Sequence, residues 1–176
     1  MSISCARTAI GVLILGLFLA TPVAAQTMEK VDFFVDSISE KGDLNHLVRL
    51  SGGSSWVLAE ATLVAVPVDV LVVMRDVVVE GKRVAAAWVY VGGVEIPAKH
   101  LEGVYPKNAA FLTRVMASED QGTKLRLADG SELLVPGYNK FISNRWTPPY
   151  KVLLSANRLS MHNLIDGRRV EVRPAK

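Results

Sequence analysis

The side chains able to do chemistry are few and far apart. The three histidines, His46, His100 and His162, are separated by 54 and 62 residues, and the single cysteine is Cys5. A zinc-type site asks for close-set ligands such as His-x3-His or paired cysteines, and no such spacing occurs. Asp43 and His46 could meet at a turn, which is too little for a ligand set. Gly52-Gly53-Ser54-Ser55 only partly matches a nucleophile elbow: Gly-x-Ser-x-Gly is absent, and a hydroxyl nucleophile also needs a positioned base. Phosphate-cradling loops are excluded too, because no Gly-rich pair precedes a helix or a Lys-Ser/Thr step. The sequence therefore predicts no catalytic residue, no metal ligand and no cofactor. Glu60, Glu95 and Glu102 are the carboxylates on which an alternative would rest, a hydrolase or isomerase acting on cell-wall material. It would need two of them within ~5–10 Å in a cleft between halves of the chain.

Recognition chemistry is better represented. Asn144-Arg145-Trp146-Thr147-Pro148-Pro149-Tyr150 sets an arginine and two aromatics beside a rigid Pro-Pro step, and these residue types dominate binding hot spots. The predicted binding residues are Arg145, Trp146 and Tyr150, enlarged by Arg158, Arg168 and Arg169 on neighbouring expected strands. The competing expectation is that Trp146 plugs a second core as Trp56 plugs a first.

These residues must be positioned by strands. Val, Ile, Leu and aromatic runs are split by Gly, Asp-Gly and Pro, a pattern that suits strands over helices. Strands are expected at 31–38, 46–51, 55–66, 69–74, 76–80, 83–91 and 94–98, then at 110–117, 123–128, 132–136, 151–155, 158–161 and 169–173. The stretch 108–112 is the one helical candidate, and a strand is preferred there.

One pattern is written twice. Residues 46–58 align with 123–135 around Gly53 and Gly130. Asp32-Phe33-Phe34 aligns with Ala110-Phe111-Leu112, Pro67 with Pro148, and Glu80-Gly81 with Asp166-Gly167. With Asp129-Gly130-Ser131 as the loop, Leu127 should face Leu133 and Leu125 should face Val135; the same register sets Leu50 against Trp56. The expected fold is all-β: two tandem related small units, 26–105 and 106–176, each an SH3-like or OB-like barrel, or both in one two-sheet sandwich.

Bulk properties set the context. Residues 1–25 have the three parts of an export signal, with Arg7, an apolar run too short for a ~30 Å bilayer, and a small-residue cleavage point between Ala25 and Gln26. Removing them leaves 151 residues without cysteine. Charge is uneven: residues 26–103 hold 7 basic and 11 acidic side chains, and 104–176 hold 12 and 6. The near-neutral sum argues against nucleic acid, and the segment 64–79, which carries Pro67, Asp69, Arg75 and Asp76, argues against a membrane span. The sequence thus predicts a periplasmic or secreted, non-enzymatic binding or assembly module of the bacterial cell envelope and leaves its oligomeric state open. Its partner would be an envelope protein or an anionic envelope polymer. A further alternative is a chaperone or inhibitor that takes a peptide along a free strand edge near 94–98.

Overall fold

The computed structural model describes residues 28–175. The expected signal peptide, with Ala25 and Gln26, lies outside the described residues. Among the described residues no helix is long and apolar enough to cross a membrane. The described chain is all-β, with strands β1 (Glu29–Gly42), β2 (Leu47–Leu50), β3 (Ser55–Leu58), β4 (Val68–Val79), β5 (Lys82–Val91), β6 (Val94–Glu102), β7 (Asn108–Glu119), β8 (Lys124–Leu127), β9 (Glu132–Leu134), β10 (Tyr150–Ser155), β11 (Ser160–Asn163), β12 (Arg169–Glu171) and β13 (Arg173–Pro174). A single helical turn, Lys140–Ser143, interrupts the second half.

A closed barrel forms because alternate residues of six strands point one way. The antiparallel pairings run β1–β2–β3–β6–β5–β4 and return from β4 to β1. Phe34, Ile38, Val48, Leu50, Trp56, Leu58, Val70, Val72, Val89 and Ile96 fill the interior and are buried. Each such side chain contributes ~1.5–3 kcal/mol relative to exposure, so this core accounts for the fold without any disulfide.

From β7 the remaining strands pair through β8, β9 and β13 on one side, and through β10, β11 and β12 on the other. Val172 alone separates β12 from β13. Val115, Leu125, Leu127, Leu133, Val152, Leu154 and Met161 form a second core. The opposite faces of β1, β4, β7 and β10 meet in a third cluster of Val31, Phe33, Leu71, Val73, Leu112 and Leu153. β4 is therefore buried on both faces over Val70-Leu71-Val72-Val73, which is why it reads as an unbroken apolar run.

Several expectations are corrected. Gly53 and Gly130 do hold positive φ, +92° and +85°, but each is the last residue of its loop and not the middle one. Leu127 N–H donates to Ser131 O at 2.9 Å, and Leu50 N–H to Ser54 O at 2.8 Å. Leu125 thus lies across from Leu133, and Val48 from Trp56. Leu127 does not face Leu133, nor Leu50 Trp56. A left-handed glycine closing a three-residue loop makes a bulge, which sets this register. The shift is two residues in both hairpins, so every side chain keeps its face.

The strand expected at 55–66 stops at Leu58, while 69–74 and 76–80 fuse into β4. The stretch 108–112 opens β7, a strand as preferred. Glu80-Gly81 caps the β4–β5 hairpin, whereas Asp166-Gly167 lies between β11 and β12. That sequence match joins different hairpins, because acidic-Gly pairs suit any tight turn. Val68 pairs with the bulge position Ile38, and Tyr150 with the bulge position Val115.

Candidate functional site

The most conspicuous surface feature starts where two strands lose their neighbours. β1 pairs with β4 only as far as Asp32 opposite Met74, and its first residues, Glu29–Phe33, pair with β7. On the other edge, β6 pairs with β5 only as far as Ala98 opposite Ala87, then runs beside β3. Arg75–Val79 and Lys82–Ala86 continue beyond this fork paired only with each other among the described residues. They form a projecting two-stranded arm. Its tip is a two-residue turn with Glu80 at φ +52° and Gly81 at φ +77°, the paired positive values that match the twist of flanking strands.

Val77-Val78-Val79 and Val84-Ala85-Ala86 give the arm an apolar sequence on both faces, yet little covers it. Val78 is 70 % exposed, and Val79 and Val84 are also exposed. A free two-stranded ribbon is marginal in water, and its unpaired edges offer backbone donors and acceptors to another chain.

One face of the arm overhangs a groove of about 930 Å³ at the mouth of the first barrel. Small side chains, Ala85, Ala87 and Ala98, line it beside Met74, Val78 and Arg83. Its far wall is aromatic. The Trp56 ring lies 4.9 Å from His100 and 5.2 Å from Tyr105, and His100 lies 4.8 Å from Tyr105. Trp56 Nε1 donates to Ser54 Oγ at 3.0 Å, which fixes the indole. His100 Nε2 is buried and has no partner among the described residues. Charges of both signs line the groove, Glu29, Asp32 and Asp76 with Lys30, Lys99 and Lys107. Arg75 is held at its base, 4.1 Å over the Trp88 ring and 3.5 Å from Glu29.

The predicted recognition surface is distributed differently. Trp146 and Tyr150 are 6 % and 3 % exposed and pack edge-on at 5.6 Å inside the second core. Trp146 plugs that core, the competing expectation, and its Nε1 donates to Asp166 Oδ2 at 2.8 Å. Burial, reinforced by Asp166, pushes the Tyr150 phenol well above its ordinary range. Tyr150 is buried because it stands opposite Val115, which points into the second core. Arg145, Arg158, Arg168 and Arg169 are exposed. Arg168 N–H donates to the same Asp166 that holds Trp146, whereas Arg158 occupies the turn at the opposite end of β11. The six residues do not form one patch.

The carboxylates of the enzyme alternative also fall apart. Glu95 lies in a crevice between the two halves, 2.5 Å from Lys151 Nζ and 3.8 Å from Arg75. Burial there raises its carboxyl, but the Lys151 hydrogen bond and charge outweigh this and hold it below the usual range. The neighbouring Tyr90 phenol is pushed far up by burial and by Glu95. Glu102 lines a separate crevice with Arg49, 3.9 Å away, and accepts from Ser55 Oγ. Glu60 lines neither crevice. Residues 94–98, where a free edge was considered, pair with β5. Among the described residues the arm presents unpaired edges on both of its strands. Compared with known protein families, with curated proteins and with solved structures, the chain matches none.

Proposed function

We propose that the chain is an exported, non-enzymatic binding module of the cell envelope that accepts an extended segment of a partner protein along the free edge of β5. The single observation that carries this reading is the fork at Met74 and Ala87, beyond which the arm has lost both neighbours. A peptide backbone is the ligand that complements alternating N–H and C=O groups. It would continue the sheet where β6 departs, with alternate side chains over the groove that Trp56, His100 and Tyr105 wall. Export, envelope location and the writing of one strand unit twice belong to the same proposal. They draw on the leader-like N-terminus and on the two hairpins that share one register around Gly53 and Gly130.

The experiment follows from ladder geometry. Val79 and Lys82 flank a two-residue turn and exchange hydrogen bonds, so the N–H groups of Arg83 and Ala85 point away from β4. Ala85→Pro therefore removes an outward donor while sparing the hairpin's own bonds. A photoreactive residue at Val78 should capture a partner in intact cells, and Ala85→Pro should abolish that capture with the melting temperature unchanged. In the captured complex, the Arg83 and Ala85 amides should become slow to exchange with deuterium. Capture that survives Ala85→Pro, or amides that stay fast, would overturn strand addition.

A further inference from the structure

A second concave site, away from the arm, lies between the two halves of the chain. It has a volume of about 670 Å³ and is bounded by β1 at Phe33–Val35, the link at 106–109, the β10–β11 turn and the start of β12. Two cations line it, Lys107 and Arg169, and no carboxylate does. Neither cation has an acidic partner among the described residues. The groove and the two other crevices described above are each lined by at least one glutamate, which sets this cleft apart from them electrically. Its polar lining is organised as well. Asn157 Oδ1 accepts from Ser155 Oγ at 2.7 Å and from Leu159 N at 3.0 Å, which leaves the amide NH2 as an uncommitted donor.

The wall of the cleft contains an unexplained group. His162 is 8 % exposed, its ring lies 5.4 Å from Phe33, and its Nδ1 is buried with no partner among the described residues. Buried polar atoms are nearly always satisfied, and each exception asks for a reason. An imidazole beside an unpaired arginine is poorly placed by itself and well placed beside an anion.

We propose that this cleft binds a phosphate group, held by Arg169 and Lys107 with Asn157, Asn108 and Ser160 as further polar neighbours and His162 responding to it. Arginine and lysine with amide donors are the groups that recognise phosphate oxygens through charge-assisted bonds. The assignment uses Arg169, one of the arginines the sequence marked, and the excess positive charge of residues 104–176. It does not depend on the strand-accepting reading of the arm.

The linkage gives a specific signature. Burial, reinforced by Arg169, holds His162 down, to about 4. A bound anion offsets Arg169 and favours the imidazolium, so phosphate should raise the His162 titration midpoint. Arg169 on the adjacent strand is the charged group that lowers His162, and Lys107 lines the same cleft.

The test is a titration of the purified protein with inorganic phosphate, followed through the imidazole NMR signals of the three histidines, each assigned by substitution. The His162 signals should shift saturably while those of His46 stay fixed, and chloride at equal ionic strength should have no effect. Arg169→Gln should weaken binding about tenfold or more, the loss of a charge-assisted contact, while Arg126→Gln on the exposed side of β8 should leave it intact. If Arg169→Gln fails to fold, Lys107→Gln on the exposed link replaces it. A second arm adds vesicles of phosphatidylglycerol or of phosphatidylcholine. Binding to the former alone, competed by phosphate, identifies a lipid headgroup as the source; silent vesicles identify free phosphate. No saturable shift, an equal response to chloride, or a response that both charge variants leave unchanged would overturn the proposal.

Discussion

Acid should unfold this protein partly through His162, and the size of that contribution follows from its site. The unfolded side chain titrates near 6.5, whereas burial and Arg169 lower it to about 4 in the folded state. A histidine depressed on folding favours the neutral form. Stability is therefore fully retained above pH 6.5 and declines as pH falls, because the unfolded chain takes up a proton first. The decline ends near pH 4, where the folded state also protonates. A gap of about 2.5 units at ~1.36 kcal/mol per unit gives about 3 kcal/mol, of which about 1.4 kcal/mol is lost by pH 5.5.

Other groups also titrate in this range, so the measurement must be differential. His162→Phe keeps a ring against Phe33 and removes the proton site. Its packing cost is independent of pH, while the titration is not. Urea unfolding of both proteins at pH 7, 5.5 and 4 gives two stability curves, and the gap between them should move by about 3 kcal/mol in favour of the variant. The buffers must be free of phosphate and sulfate, since an anion in the cleft would protect the wild type. A gap that stays constant across this window would refute the burial argument, and with it the claim that Arg169 acts on His162.

The glycines provide a second check. Gly122 and Gly130 both hold positive φ, +82° and +85°, but a methyl group on Gly122 would lie 2.5 Å from Asn144 N, while one on Gly130 meets nothing within 4 Å. Gly130→Ala should cost ~1–2 kcal/mol of backbone strain alone, and Gly122→Ala should cost clearly more in the same denaturant series. Lys151→Met removes the partner of a half-buried Glu95 and should cost about 1 kcal/mol, a figure already reduced for the solvent screening of a partly exposed lysine. The loss should be largest at neutral pH and shrink as acid protonates Glu95. Ser143→Ala deletes a fully buried hydroxyl that donates to Gly122 O at 2.7 Å and should cost ~1–3 kcal/mol in thermal unfolding.

What could be read from the chain was mostly local. The alternation of Leu125, Leu127, Leu133 and Val135 specified which face is buried, since a two-residue error in register leaves every side chain on its own side. The register itself escaped, because it depends on which loop position the glycine takes, and one loop sequence allows both. Asp166-Gly167 was joined to Glu80-Gly81 for the same kind of reason: turn chemistry names a hairpin without saying which one. Trp146 and Tyr150 showed a different limit. Arg, Trp and Tyr build hot spots and cores alike, and only the pairing of Tyr150 with Val115 settles that its ring points inward. The arm was invisible as an arm. Its valines read as strand, but exposure depends on where β1 and β6 turn away, and those departures are fixed by partners 30 or more residues distant, β7 and β3.

A sequence specifies one structure when propensity, patterning and polar satisfaction agree, and disagreements gather where function is kept. Through most of the two main cores they agree, although the Tyr150 hydroxyl is buried with no partner among the described residues. Trp56 and Trp146 are both buried with their indole N–H groups satisfied, and the hairpin glycines meet the φ their loops require. Disagreement concentrates in two places. In the arm, Val78, Val79 and Val84 stand in water on strands with free edges, at a cost in solubility that a monomer gains nothing from. In the cleft, Lys107 and Arg169 face no carboxylate while His162 is buried with Nδ1 unmatched. Each conflict would disappear with the proposed guest in place, a strand beside β5 in one case and a phosphate beside Arg169 in the other. Lys107 lines both the groove and the cleft, so its single charge is the one element that both guests would share.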